Sequence, residues 1–216
     1  MDRRQKIFAF ITPCAGVSAA DLAQLMQFEA AHVWSLYERG ALRDVWSRTD
    51  SPGAVYVLEA TLEEASTMLA GQPMARARIV DVELAPVAAF TCFADLFGTQ
   101  LEPVQPVVPP VAEKPWRRTQ RIVAVNRLAI GASRDEVDEH AAHEARHTWA
   151  LAKAGVIREA HRRTDQPGAV VVLESSLAEA RVLLDDLPLA RAGLEHFDLY
   201  EVGAFAGLDA LLDGAV

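Results

Sequence analysis

The chain repeats itself. Displaced by 115 residues, it aligns on itself without a gap from Arg3 on Arg118 to Phe97 on Leu212, with about 36 identities in the 95 pairs. The densest block sets RTDSPGAVYVLEA (48 to 60) over RTDQPGAVVVLES (163 to 175). Each half must therefore fold as a copy of the other. The repeat also disposes of one early reading: MDRRQK, the apolar stretch after it, and Ser18, Ala19 and Ala20 have the outline of a secretory leader. The segment QKIFAFI (5 to 11) lies on the internal QRIVAVN (120 to 126), so it is expected to be the first strand of a domain.

Between the copies runs GTQLEPVQPVVPPVAEKPWR (98 to 117), whose five prolines forbid helix and favour an extended linker. The expected organisation is a first repeat over 1–97, a linker over 98–117 and a second repeat over 118–216.

Composition narrows the function classes. The net charge is -9, with 21 Lys+Arg against 30 Asp+Glu, and no basic run is available to neutralise a phosphate backbone. Nucleic acid and membrane are not expected partners, and no apolar run is long enough to cross a bilayer. Two cysteines, Cys14 and Cys92, are too few for a disulfide framework and too far apart for a thiolate metal site. A cytoplasmic protein is the simplest expectation.

Each copy reads as βαββαβ. In the first, Ile7 to Ile11 suits a strand; Ser18 with Asp21 caps a helix that runs to Tyr37, and Gly40 closes it. Leu42 to Thr49 and Ala54 to Ala60 make a hairpin around Asp50-Ser51-Pro52-Gly53. Thr61 and Glu64 cap a second helix that Pro73 stops, and a last strand follows at Arg78 to Leu84. The second copy repeats this with Ser133, Glu136 and Gly155, then Ser176, Glu179 and Pro188, and a last strand over Gly193 to Tyr200. Val55, Val57, Tyr56 and Leu58 make both faces of the third strand apolar. A sheet covered by helices on one side buries its other face by meeting a second sheet, which the repeat supplies. The expected class is α+β: two ferredoxin-like βαββαβ repeats forming an intramolecular dimeric α+β barrel.

At ERGALRDVWSR (38 to 48), AVYVLEATLEEASTMLAGQPM (54 to 74) and the strand to Leu84, the sequence resembles muconolactone isomerase and its relatives in the dimeric α+β-barrel superfamily. The resemblance covers about 80 residues of each copy. It implies a dimer fused into one polypeptide, with a further homodimer open, and a cofactor-independent proton shift on a small lactone or other carbonyl metabolite. The alternative is a small-molecule-binding or structural barrel without catalysis.

Candidate site residues follow from facing. On the first long helix Leu22, Leu25, Met26, Val33 and Leu36 form one apolar stripe, and Glu29 falls about 20° from its reference at Leu22. Glu144 is its counterpart. A carboxylate there must be paired or raised in pKa, so Glu29 and Glu144 are candidate general bases. The structural reading of the same glutamates is a salt bridge to Arg43, Arg48, Arg158 or Arg163. His32 and His147, three residues on, are candidate partners of the glutamates. Arg48 and Arg163 offer a bidentate clamp for a ligand anion, while Asp50 suits the turn. His161, where the first copy has Trp46, makes the two pockets differ. Trp34 and Trp149 lie off the stripe and are expected to pack under the linker or a neighbour. Phe93 and Trp116 suit linker packing or a further interface.

The second helix also spells His143-Glu144-Ala145-Arg146-His147, the HExxH pattern of zinc peptidases, with His140 one turn before. The first copy reads Phe28-Glu29-Ala30-Ala31-His32 there, so the first histidine is no part of the shared design. Neither a metal nor a cofactor is expected, although His140, His143 and His147 share a face and His161 or His196 offers an imidazole to a haem iron.

Overall fold

The structure is a computed structural model, and it describes residues 3–96 and 121–212. The linker expected over 98–117, Trp116 within it, and Phe97 lie outside the described residues.

The first repeat is built from β1 (Gln5–Pro13), α1 (Ala19–Glu38), β2 (Leu42–Arg48), β3 (Ala54–Ala60), α2 (Leu62–Ala70), α3 (Pro73–Arg76) and β4 (Val80–Ala89). The second is β5 (Arg121–Leu128), α4 (Arg134–Lys153), β6 (Ile157–Arg163), β7 (Ala169–Glu174), α5 (Leu177–Asp185), α6 (Pro188–Arg191) and β8 (Glu195–Ala204), followed by a 3₁₀ turn and α7 (Asp209–Leu212). All four expected capping boxes form. Ser18, Thr61, Ser133 and Ser176 each accept the backbone N–H three residues on, and the acidic residue there returns a bond to the cap.

Two elements depart from expectation, for one reason. Pro73 and Pro188 do not merely stop a helix; each is the first residue of a new short one, where its missing N–H costs nothing. The short helices then end in a left-handed residue, Arg78 at φ 57° and its counterpart Gly193 at φ 71°. The last strands therefore start two residues later than expected and run on to Ala89 and Ala204.

By contact the chain divides into two compact units: one runs to Val87 and includes the residues from Val202 on, the other is Ala88–Glu201. The last strand of each repeat thus ends in the other unit. In the first unit the strands order β4-β1-β3-β2, with Phe8 opposite both Val57 and Ala85, and the end of β8 pairs Val202, Gly203 and Ala204 with Arg48, Ser47 and Trp46. In the second, β5 pairs with β7 and β7 with β6, both antiparallel.

Strand alternation gives each sheet two buried faces. Ile7, Ala9, Ile11, Tyr56 and Leu58 face α1 and α2 and pack with Val33, Leu36 and Leu69, while Phe8, Phe10, Val55 and Val57 are buried on the opposite face. The second unit repeats this with Ile122, Ala124, Val171 and Leu173 packed against Leu151 and Leu184. The hairpin turn is pressed against the first strand of its own sheet. A Cβ on Gly53 would lie 2.5 Å from the Ile11 carbonyl oxygen, and on Gly168 2.7 Å from that of Asn126. Both glycines also need φ above 130°, which explains the Pro-Gly shared by the two turns.

Candidate functional sites in two cavities

Each unit holds a cavity between its long helix and the sheet. In the first, of about 310 Å³, the described lining residues are apolar except for Glu29, Tyr56 and Ser47. Glu29 is 4% exposed and belongs to the buried stripe of α1. Its position is explained by α3: four residues are too few to satisfy their own leading N–H groups, and Glu29 Oε2 accepts the Met74 N–H at 3.1 Å. The Tyr56 hydroxyl donates to Oε1 at 3.4 Å. Burial raises the Glu29 carboxyl, and these two donors restrain the rise. Burial and then the nearby Glu29 charge push the Tyr56 hydroxyl well above its ordinary value, and the fully buried Gln72 pulls it the other way.

The second cavity, of about 250 Å³, keeps the glutamate and changes its surroundings. Glu144 Oε2 accepts the Leu189 N–H at 3.0 Å, as Glu29 does for Met74. Beside it stand two groups with no counterpart in the first cavity: Asn126 on β5 replaces Ile11, and Glu195 at the start of β8 replaces Val80. The Asn126 amide donates to Glu195 Oε2, while Oε1 is buried without a partner among the described residues. Burial pushes the Glu144 carboxyl up to about 7, against the pull of the Leu189 N–H. Burial, and then the negative charge of Glu144, pushes Glu195 up to about 8, with Asn126 restraining it. Two like charges in one apolar site cannot both ionise cheaply, so the charge of one carboxylate adds to burial in favouring the protonated form of the other.

The structure places the other expected residues outside the cavities. His32 Nε2–H donates to the Met68 carbonyl at 3.1 Å instead of pairing with Glu29, because its side chain leaves α1 toward α2; burial lowers its pKa. His147 turns back along its own helix and bonds the His143 carbonyl at 3.0 Å. His161 meets Glu159 at 2.9 Å. Arg48 grips Asp50 with two bonds, 3.1 and 2.8 Å, and Arg163 grips Asp165 with two, 3.0 and 2.8 Å. The Arg-Thr-Asp motif thus clasps its own hairpin turn, and neither arginine is among the described residues that line these two cavities. Nor do the expected bridges from these arginines to the buried glutamates form: Arg43 pairs with Glu59 and Arg158 with Glu174, both at 2.6 Å.

His140, His143 and His147 face an open groove beside α6 with Arg191, and among the described residues no group of three or more His, Cys, Asp or Glu is disposed to hold a metal ion. Trp149 stacks edge-on against Phe93 at 5.2 Å in the second unit. No described helix is long and apolar enough to cross a membrane.

Asn126, Glu195 and Arg162, which also lines the second cavity, were not legible as candidates from either copy alone. Their signal lies in the differences between copies. Ile11 becoming Asn126, Ser47 becoming Arg162 and Val80 becoming Glu195 are three gains of polarity at positions that strand alternation turns toward the helices.

No protein-family model matches the chain, and no curated protein matches it in sequence. Among solved structures it is similar to a haem-binding protein from Thermus thermophilus, at a TM-score of 0.55 and 13% identity, covering 99% of this chain and 95% of that one. It is also similar to a candidate chlorite dismutase, at a TM-score of 0.56 and 11% identity, covering 98% and 99%. At such identities the likeness is one of fold: α+β, with two ferredoxin-like repeats.

Proposed function

We propose that the protein binds a small, mostly apolar carbonyl metabolite in its helix-side cavities and shifts a proton on it in the second, with the two repeats acting as a fused pair. The observation that carries this reading is the Glu144–Glu195 pair, whose carboxyls are raised to about 7 and about 8 inside an apolar cavity. An acid and a base of nearly matched pKa, both close to neutrality, suit removal of a proton next to a carbonyl and its return at another carbon. Glu144 is the base in this reading. Glu195, steadied by Asn126, is the acid that bonds the developing enolate oxygen. The resemblance to muconolactone isomerase agrees in chemistry, though the partner of the glutamate is a second carboxyl and not a histidine.

A haem, which one structural neighbour binds, does not fit these cavities. None of the six histidines lines either one, and at about 250 and 310 Å³ they stand at the lower end of small-molecule clefts, roughly 300 to 1,000 Å³, with too little room for a tetrapyrrole. No step is routed through one.

Binding without turnover is the better reading of the first cavity. The one carboxylate among the described residues that line it is already held by the Met74 N–H and the Tyr56 hydroxyl. The test is the conversion of a neutral β,γ-unsaturated lactone, α-angelica lactone, to its conjugated isomer, followed by ultraviolet absorbance. Wild type is expected to accelerate the shift and Glu144→Gln to abolish it, with Glu29→Gln leaving it in place. Equal loss in both variants, or none in Glu144→Gln, sinks the assignment.

A further inference from the structure

Arg162 and Ser47 occupy the same position in the two repeats, and each lines the cavity of its own unit. Ser47 is spent on structure, its hydroxyl oxygen accepting the Ala206 N–H at 3.1 Å. Arg162 is different. It is exposed, its guanidinium donates to the Arg163 carbonyl at 3.2 Å, and among the described residues no carboxylate pairs with it. Its neighbour Arg163, on the opposite face of the strand, is 2% exposed and committed to Asp165. In a chain of net charge -9, an arginine that lines a cavity with no acidic partner is unusual. The second cavity therefore has a cation at its exposed wall and, elsewhere in its lining, two buried carboxyls, with apolar side chains such as Val137, Leu184 and Phe197 between. Among the described residues that line the first cavity there is no cation.

We infer that Arg162 makes the second cavity prefer a small carbonyl compound that also carries an anionic group over its neutral analogue, the anion held by the guanidinium and the carbonyl end directed to Glu144 and Glu195; the first cavity has no such preference. The planar guanidinium can donate two parallel bonds to a carboxylate, a match that also fixes the ligand's orientation. An anion at the exposed wall keeps part of its hydration, while the uncharged carbonyl end enters the apolar interior. This inference rests on the second cavity being a ligand site, as proposed above, and not on turnover within it.

The test is calorimetric titration of the full chain with 4-oxocyclohexanecarboxylate and with its methyl ester, which share a ketone and differ in charge. The acid is expected to bind at one site per chain, at least tenfold tighter than the ester. Arg162→Ala should weaken the acid by roughly 10- to 100-fold, the range expected for a lost charge-assisted pair, and leave the ester unchanged. Arg162→Lys should keep much of the affinity, because the charge remains. Equal affinity of acid and ester, unchanged acid binding in Arg162→Ala, or no binding of the acid at all would overturn the inference. Exchange of the ketone's α-protons for deuterium, followed by NMR on the same samples, separates the two proposals. Acid that binds through Arg162 but shows no exchange dependent on Glu144 leaves the selectivity standing and removes the proton shift.

Discussion

Glu144 reaches the backbone N–H of Leu189, 45 residues away, with its Oε2 at 3.0 Å. The same bond joins Glu29 to Met74 at 3.1 Å, so in both repeats the long helix supplies the acceptor that a four-residue helix cannot find within itself. This gives the buried glutamates a structural role even where no chemistry follows. It also turns the second oxygen of each carboxylate toward other partners, and there the two cavities diverge.

Replacing the acceptor should cost stability in both units. Glu29→Ala or Glu144→Ala leaves a short-helix N–H without its partner, at about 1–3 kcal/mol each. The Gln variants retain a carbonyl acceptor and should cost less. Urea denaturation monitored by circular dichroism measures the difference, and equal costs for Ala and Gln would remove the capping role.

The buried dyad should make the fold less stable as pH rises. Both carboxyls are raised in the folded chain, so the folded form keeps protons that the unfolded chain releases above about 4 to 5. Stability from this source is fully present below that range and is lost as pH climbs through about 7 and about 8. Melting temperatures of wild type should fall between pH 5 and 8.5, and Glu195→Gln should flatten the slope. The double substitution Asn126→Ile with Glu195→Val, which restores the first repeat's residues, should flatten it further and leave stability at pH 8 unchanged or higher.

Proton transfer by the pair should have a bell-shaped pH profile, because the active form carries one proton on two carboxyls. The limbs are expected near 7 and 8, with the maximum between them. Glu195→Gln removes one titrating group and should leave a single ascending limb. A wild-type profile flat from pH 6 to 9 would detach the dyad from the rate.

The Arg-Thr-Asp clasp should affect folding and not ligand affinity. Arg163→Ala strands Asp165 and removes a side chain only 2% exposed, for an expected loss of about 1–3 kcal/mol. Loss of acid binding in a folded Arg48→Ala variant, whose guanidinium lies in the other unit, would contradict this division of roles.

Arg78 is the one residue other than glycine in the left-handed region among the described residues, and its counterpart is Gly193. Arg78→Gly should therefore stabilise the fold by about 1 kcal/mol, the order of the penalty that a Cβ carries there. A differential scanning calorimetry trace with an unchanged or lower melting temperature would contradict it.

Much of the fold is legible in the sequence. The 115-residue offset, four capping boxes, the Pro-Gly turns and the two apolar faces of Ile7–Ile11 and Ala54–Ala60 specify elements locally, because capping, turn geometry and alternation depend on neighbours within a few residues. Helical periodicity placed Glu29 and Glu144 on the buried stripe for the same reason. For His32, His147 and the two clasping arginines the sequence left the partners open, because flank positions and strand ends do not fix which neighbour a long side chain meets. The nearest acceptors were a helix carbonyl and a turn carboxylate.

The sequence by itself determined that there are two copies of one βαββαβ unit, each with a glutamate on the inner face of its long helix. Tertiary structure alone decided what those glutamates meet. Glu144 and Glu195 are 51 residues apart in the chain and Asn126 is 69 from Glu195, and only the packing of α4 over β5 and β8 brings them to one cavity. No local rule encodes such a distance. A carboxyl's pKa depends on burial and on neighbouring charge in space, so the feature on which the proposed chemistry rests arises only when the chain is folded.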